Sequence, residues 1–374
     1  MSRDILQYAP QIKRVALLQR VLPAYRAPFF DLLSQAIPDG LYLFAGEPRP
    51  IEAIATTRQL SHAHLTPAHN RHFFHTRHPL YFCWQDGLST WLEKTDPDAL
   101  IVEANPRYLS TPRAIRWMKE RKRPVLGWGL GAPPVHPWLA WHRARFLAQL
   151  DGLIAYSPHG AEEYRALNKI PPHRIFTALN AVTPRPTTPA PIRAPTPQHP
   201  LTVLFVGRLQ TRKRLDLLLR ACADLPSEIQ PQLIIVGDGP ARGEFQTLAW
   251  QVYPQAKFPG AKHGDELAPY FADADLFVLP GTGGLAVQEA MSYGLPVIVA
   301  EGDGTQNTLV RPENGWLVPP DDLCALRTAL AEALSAPARL RQMGKESYRI
   351  VSEEINLERM VEVFLHALLE VNHV

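Results

Sequence analysis

The chain of 374 residues is poor in cysteine: Cys83, Cys222 and Cys324 are all it has. Odd in number and far apart, they make neither a disulfide framework nor a zinc site, and they fit a reducing compartment. No apolar run reaches the roughly 18 residues that a membrane-spanning helix needs; the stretch 14–22 (RVALLQRVL) is short and carries Arg. The N-terminus shows no signal-peptide hydrophobic region with a cleavage site, so a cytoplasmic rather than a secreted protein is expected. No Gly-x-Gly-x-x-Gly opens either half, which argues against a nicotinamide-dependent dehydrogenase. A short-period solenoid repeat is also missing.

What is present is a globular composition. Apolar residues make up 46% and charged residues 20%, enough for a large core, and the length favours two domains. Proline is abundant, at 37 residues, and concentrates in one place. Seven of the 18 residues of 183–200 (TPRPTTPAPIRAPTPQHP) are Pro. Such a segment is excluded from helices and central strands and reads as an extended interdomain linker. Charge divides at the same place. Residues 1–190 hold 23 Lys and Arg against 14 Asp and Glu, a net of +9, and residues 191–374 hold 16 against 22, a net of −6. A basic first half fits either an anionic partner or a solvated surface.

Both halves alternate apolar β-like runs with amphipathic segments. Strands are expected at 14–21, 98–103, 124–128 and 151–156, then at 202–207, 232–236, 275–279 and 296–300. Helices are expected at 28–36, 86–94, 112–122, 138–149 and 158–168, then at 213–224, 240–250, 284–293, 322–334 and 357–371. Continuous Val/Ile/Leu runs indicate strands buried on both faces, and β–α alternation indicates parallel sheets. The fold class is α/β, with two Rossmann-like domains and ligand at the C-terminal ends of the strands.

Three strand ends in the second half carry anion chemistry. In VGRLQTRK (206–213), Gly207 ends a strand, and Arg208 and Lys213 flank a turn into a helix, as a diphosphate site requires. In VGDGP (236–240), Gly237 and Gly239 allow a tight turn. In LPGTGGLAVQEAM (279–291), glycines let backbone N–H groups approach an anion at a helix start, and Glu289 follows as an acceptor for a ribose diol. Each signal alone is weak; in order and in one domain they point to a nucleoside diphosphate.

The order GRLxxxxK, VGDGP and a glycine-rich helix start ending in EAMSYGLPVI resembles the retaining family 4 glycosyltransferases of GT-B fold. PENGWLVP (312–319) and the helix after it are similar to the family's closing segment, VLPAYRAPFF (21–30) to its first β–α loop, and NAV (180–182) to the turn before its linker. The resemblance implies a GT-B architecture, two Rossmann-like parallel-sheet domains facing a cleft. Residues 1–182 would form an acceptor-side domain joined by the C-terminal helix 357–374, 183–200 the linker, and 201–356 the nucleotide-sugar domain. It implies that Arg208 and Lys213 are catalytic and hold the donor diphosphate with Gly207 and Gly237, that the amides of Gly283, Gly284 and Leu285 add to the cradle, and that Glu289 binds the ribose. It implies no metal and no cofactor beyond the nucleotide-diphosphate sugar, because fixed cations stabilise the departing charge. The acceptor would be a glycan or a lipid-linked precursor.

Two positions depart from the pattern. The first Glu of the family's Glu-x7-Glu is Gly281 here, and the family's first-domain His falls at Leu130, with His136 a few residues on, either a substitute or incidental. These departures motivate a second reading, a catalytically weak homologue that binds nucleotide sugars as a regulatory subunit; an epimerase of the same fold is a third.

Other features remain. Tyr25 and Arg26 fall at the first strand–helix turn, where they would meet the acceptor or serve structure. Residues 62–78 contain six His (62, 64, 69, 72, 75 and 78) on spacings that match no single face, and read as a polar loop more readily than as a metal site. Residues 107–123 carry seven Lys and Arg against one acid, Glu120, and residues 138–147 (WLAWHRARFL) mix Trp with Arg. Together they suit an anionic membrane surface or an ordinary packed helix, and no nucleic-acid module accompanies them.

Overall fold

A computed structural model describes residues 12–372 apart from 53, 76–77, 79–80, 195–199, 284 and 303–305. The chain divides into two compact units, residues 1–182 with 357–374, and residues 183–356.

Among the described residues, the first unit holds eight strands: β1 (Val15–Val21), β2 (Leu41–Gly46), β3 (His64–Phe73), β4 (Phe82–Asp86), β5 (Ala99–Glu103), β6 (Val125–Gly129), β7 (Gly152–Ala155) and β8 (Ile175–Thr177). Their order is β4-β3-β2-β1-β5-β6-β7-β8. Only the β3–β4 pair is antiparallel. The chain steps outward from β1 through β2 and β3 in one direction and from β5 to β8 in the other, so connectivity reverses between β1 and β5. That is the topological switch point, where open α/β sheets form their ligand crevice.

The six strands of the second unit are all parallel: β9 (Thr202–Val206), β10 (Gln232–Val236), β11 (Lys257–Gly260), β12 (Leu276–Leu279), β13 (Val297–Ala300) and β14 (Gly315–Val318). Their order is β11-β10-β9-β12-β13-β14, which puts the switch point between β9 and β12. The central strands are buried Val/Ile/Leu runs because helices cover both faces.

The helix Leu357–Asn372 completes the first unit. Its buried stripe includes Met360, Phe364, Leu365 and Leu368. The Phe364 ring lies 4.9 Å from Phe29 and 5.1 Å from Trp128, both near edge-on. Burial of three such rings is a large part of this core's stabilisation.

The proline-rich stretch has no helix or strand over 183–194, yet it is fastened to the second unit. The Arg193 guanidinium donates to the carbonyls of Ala274 (2.6 Å), Phe271 (2.8 Å) and Tyr293 (2.8 Å). Tyr348 Oη donates to Thr188 O at 2.9 Å, and Arg341 Nε to Ala194 O at 2.8 Å.

His64, His69 and His72 of the His-rich segment lie on a strand, where the spacing suggested a loop. β3 pairs with β2 and β4 through backbone bonds while most of its side chains stay exposed. His64 stacks on Tyr42, His69 Nδ1 meets Asp86 at 2.9 Å, and His72 Nδ1 meets Tyr81 Oη at 2.9 Å. Among the described residues, no three His, Cys, Asp or Glu side chains are grouped closely enough to hold a metal ion, and no helix is long and apolar enough to cross a membrane.

Candidate functional site

The loops that follow β9 and β12 meet at the switch point of the second sheet. After Gly207 and the exposed Arg208, a turn over Thr211–Lys213 leads to Arg214 in the left-handed region (φ 52°), and the helix Leu215–Ala223 begins. Hydrogen bonds join this turn to the loop after β12. Thr282 N–H donates to Arg212 O (3.1 Å), Arg212 Nη1 to Thr282 Oγ1 (3.2 Å), and Lys213 Nζ to Thr282 O (2.7 Å). Sequence reasoning missed Thr282 and Arg212, which carry no anion signal until the two loops are seen side by side.

Lys213 is largely buried. Burial first, and then the like charge of Arg212, pull its ammonium down to about 8. Among the described residues, the protein group it touches at hydrogen-bond distance is a neutral carbonyl, so the site as described holds a cation with no anion of its own. Gly283 makes this possible. Its φ is +119°, and a Cβ there would overlap Lys213 Nζ. Gly284 lies outside the described residues. Leu285 is exposed and opens the helix Leu285–Ser292. Glu289, one turn in, is half-buried; its carboxylate has no hydrogen-bond or ion-pair partner among the described residues and is raised above the ordinary carboxyl range by burial.

Three glycines serve packing. Gly281 lies so close to the backbone of Arg212 and Lys213 that a Cβ would overlap both. The position is a contact between two loops and has no room for the carboxylate of the Glu-x7-Glu pattern. Gly237 (φ +146°) and Gly239 likewise bring the loop after β10 against the backbone of Gly207 and Leu209. A pocket of about 530 Å³ borders the joined loops, with Arg214 held between Asp216 and Asp321 on its wall.

The first unit corrects one expectation. Arg26 does not stand open at the first strand–helix turn; it is 5% exposed. Its guanidinium bonds Asn180 Oδ1 and Ala181 O (3.4 Å) and lies 5.2 Å from Trp128 and 5.4 Å from Tyr156. It ties the first loop to the turn that ends the unit, and so is structural. Tyr25 beside it is exposed. His136 caps the helix Pro137–Leu147, its Nδ1 accepting from Trp138 N–H at 3.4 Å, and Leu130 is exposed.

The two basic segments do not form one patch. The helix Thr111–Glu120 runs away from the C-terminal end of the sheet, about 15 Å at 1.5 Å per residue. Residues 119–123 therefore lie at the opposite end from Trp138. Four of the seven cations there are engaged: Lys119 with Asp151, Arg123 with Asp96 (2.5 Å), Arg121 over Trp117 (3.8 Å) and Arg113 over Trp84 (4.4 Å). Trp138 and Trp141 are 56% and 55% exposed.

Comparison with known proteins agrees with this geometry. Residues 191–350 match the family model described as Glycosyl transferases group 1. It is similar to the putative colanic acid biosynthesis glycosyltransferase WcaL of Escherichia coli (strain K12), 31% identical over 173 residues, which is 43% of this chain and 42% of the relative. It is also similar to the D-inositol 3-phosphate glycosyltransferase of Thermobispora bispora, 29% identical over 241 residues, 58% of this chain and 56% of that one. The chain spans less than half the length of the first of these relatives. Among solved structures, the apo lipopolysaccharide outer core galactosyltransferase WaaB aligns with a TM-score of 0.68 at 16% identity, over 94% of this chain and 99% of that one. Anabaena Alr3699/HepE in complex with UDP aligns with 0.68 at 14%, over 96% and 99%. The fold is therefore that of GT-B glycosyltransferases, two Rossmann-like parallel-sheet domains.

Proposed function

We propose that the protein is a retaining glycosyltransferase that moves a sugar from a nucleoside-diphosphate donor to a hydroxyl of a glycan or lipid-linked acceptor. The observation that carries this reading is the largely buried Lys213, which has no counter-ion among the described residues, at the switch point between β9 and β12, one helix start away from Glu289, whose carboxylate has no partner among them. A diphosphate supplies the missing charge, and a ribose diol supplies hydrogen-bond donors to Glu289. Arg208, exposed at the same strand end, faces the same ligand. As the anomeric carbon leaves the diphosphate oxygen, negative charge grows on the β-phosphate, and cations fixed beforehand lower that barrier without a metal. The new bond forms from the acceptor oxygen to the anomeric carbon on the face the diphosphate leaves, and the acceptor proton passes to the departing diphosphate.

One solved neighbour supports the donor class: Anabaena Alr3699/HepE is described in complex with UDP and with UDP-glucose. Surface chemistry supports an amphiphilic acceptor taken at the cytoplasmic face of a membrane. Exposed apolar side chains gather at the C-terminal end of the first sheet: Tyr25 after β1, Ile51 after β2, Phe74 after β3, Leu109 after β5, and Leu130 and Trp138 after β6. Such a concentration on one end marks an interaction surface. Arg145 and the exposed Trp141 extend it along the helix Pro137–Leu147.

The test is release of nucleoside diphosphate from UDP-, GDP- and dTDP-sugars, with product anomers read by NMR. Turnover with retained configuration, lost roughly 10²–10³-fold in Lys213→Ala, is expected. Tight binding without release would make the protein a nucleotide-sugar binder, and neither binding nor release would end this reading. Sedimentation with anionic vesicles, weakened in Trp138→Ser/Trp141→Ser, tests the surface.

A further inference from the structure

The switch point of the first sheet, between β1 and β5, carries a built arrangement of its own. β1 leaves its ladder there. The register shifts between Gln19 and Val21, and pairing with β5 stops at Leu18. Arg20 thus loses its strand partners, and side chains replace them. Its N–H donates to Glu103 Oε2 at 2.5 Å, and its carbonyl accepts from Asn70 Nδ2 at 2.7 Å. Its guanidinium turns away onto both oxygens of Glu52, at 2.9 and 3.1 Å. Bulges of this kind are frequent beside active sites, where they aim a side chain.

Glu103, the last residue of β5, is left in an unusual state. One carboxyl oxygen is bonded to a backbone N–H, and Oε1 has no partner among the described residues. The nearby cation, Arg20, is committed to a different acid. The titratable groups that face the carboxyl are Arg20, Tyr108, Tyr156 and Cys83. Burial holds the carboxyl at about 7, yet the residue keeps part of its surface open. Capping the Arg20 N–H alone would need only an amide oxygen. Glu103 is half-buried, and the open Oε1 is an acceptor that a substrate hydroxyl can reach.

We propose that Glu103 binds the acceptor: Oε1 accepts a hydrogen bond from a hydroxyl of a neutral glycoside lodged at the β1–β5 switch point. This rests on the reading of the protein as a glycosyltransferase and names the group through which the first unit holds its substrate. A hydroxyl donor is required, because an anionic group would be repelled by the carboxylate.

The experiment uses the full chain, a donor found to be hydrolysed, and a panel of octyl glycosides of glucose, galactose, mannose and N-acetylglucosamine. Glu103→Gln keeps an oxygen for the Arg20 N–H and puts an NH₂ donor where Oε1 stood. The expected result is an acceptor KM raised tenfold or more, with the UDP dissociation constant and melting temperature unchanged. The wild type needs no substitution for a second measurement: its acceptor KM should rise as the pH falls below about 7, up to tenfold per unit, while kcat changes little. An unchanged KM in a well-folded Glu103→Gln, or a flat acceptor KM through that range in the wild type, overturns the proposal. So does a wild type that hydrolyses donor but transfers to none of the glycosides. A wild type that neither binds UDP nor hydrolyses any donor overturns the glycosyltransferase reading itself, which separates the two failures.

Discussion

Lys213 should make nucleotide binding take up a proton. In the nucleotide-free protein its ammonium titrates near 8, because it is largely buried and sits beside Arg212. A diphosphate brings negative charge to that position and favours the charged form again. The sign follows from these two states. Below about pH 8, Lys213 is charged with or without ligand, and affinity should be flat. Above it, the free protein has lost the proton that the complex holds, so affinity should fall by up to tenfold per pH unit. At pH 8.5, about three quarters of the free protein carries neutral Lys213, so binding should take up roughly 0.7 proton; at pH 7 the figure is roughly 0.1. Titration calorimetry of UDP in two buffers of different ionisation enthalpy reads this number directly. Lys213→Arg, charged throughout, should bind without uptake. If the wild type binds UDP at pH 8.5 with no proton uptake, Lys213 does not face the diphosphate, and the site has been placed wrongly.

Three further outcomes follow from the same geometry. Gly281→Ala should cost about 1–3 kcal/mol of stability, as overpacking does, and Gly281→Glu should show a lowered melting temperature and not a gain in donor range, because the added atoms meet the backbone of Arg212 and Lys213. Arg26→Met leaves Asn180 and Ala181 O without their donor and should cost about 1.5–3 kcal/mol in a denaturant titration, with UDP affinity unchanged. Glu289→Gln should weaken UDP by about 1.5–3 kcal/mol, roughly 10- to 150-fold, as measured by calorimetry; an unchanged constant would move the ribose elsewhere.

The sequence displayed most of the strands that the core demands, though not the buried β2, and hid those that it does not. β1, β5, β9, β12 and β13 are buried on both faces, and their Val/Ile/Leu runs announce them. β3 reads HLTPAHNRHF, and most of its side chains are exposed. Nothing apolar repeats along it, because backbone pairing to β2 and β4 holds it in place. β11 (KFPG) is short, contains Pro and Gly, and lies at a sheet edge, where Pro is tolerated. At the site, glycine and cation spacing pointed to the loops that meet where the strand order reverses, between β9 and β12. What Gly281 excludes was not legible, since the atoms that fill its space belong to residues some 70 positions earlier. Arg26 was legible as a turn residue but not as a buried one, since its partners at 180–181 and 360 are brought to it only by the fold.

The return of the helix Leu357–Asn372 to the first unit has a consequence for how the protein is made. A ribosome delivers residues 1–182 before the whole of 183–356, and only then the helix that covers Phe29 and Trp128. The unit begun first is therefore finished last. Until Phe364 emerges, two aromatic rings at the centre of its core lack their cover, while the later unit already has every residue it needs. Nascent chains stalled within 183–356 should accordingly yield a protease-sensitive first unit, and a separately produced 1–182 fragment should aggregate unless 357–372 is joined to its end, because domains fold as units only once their own segments are present.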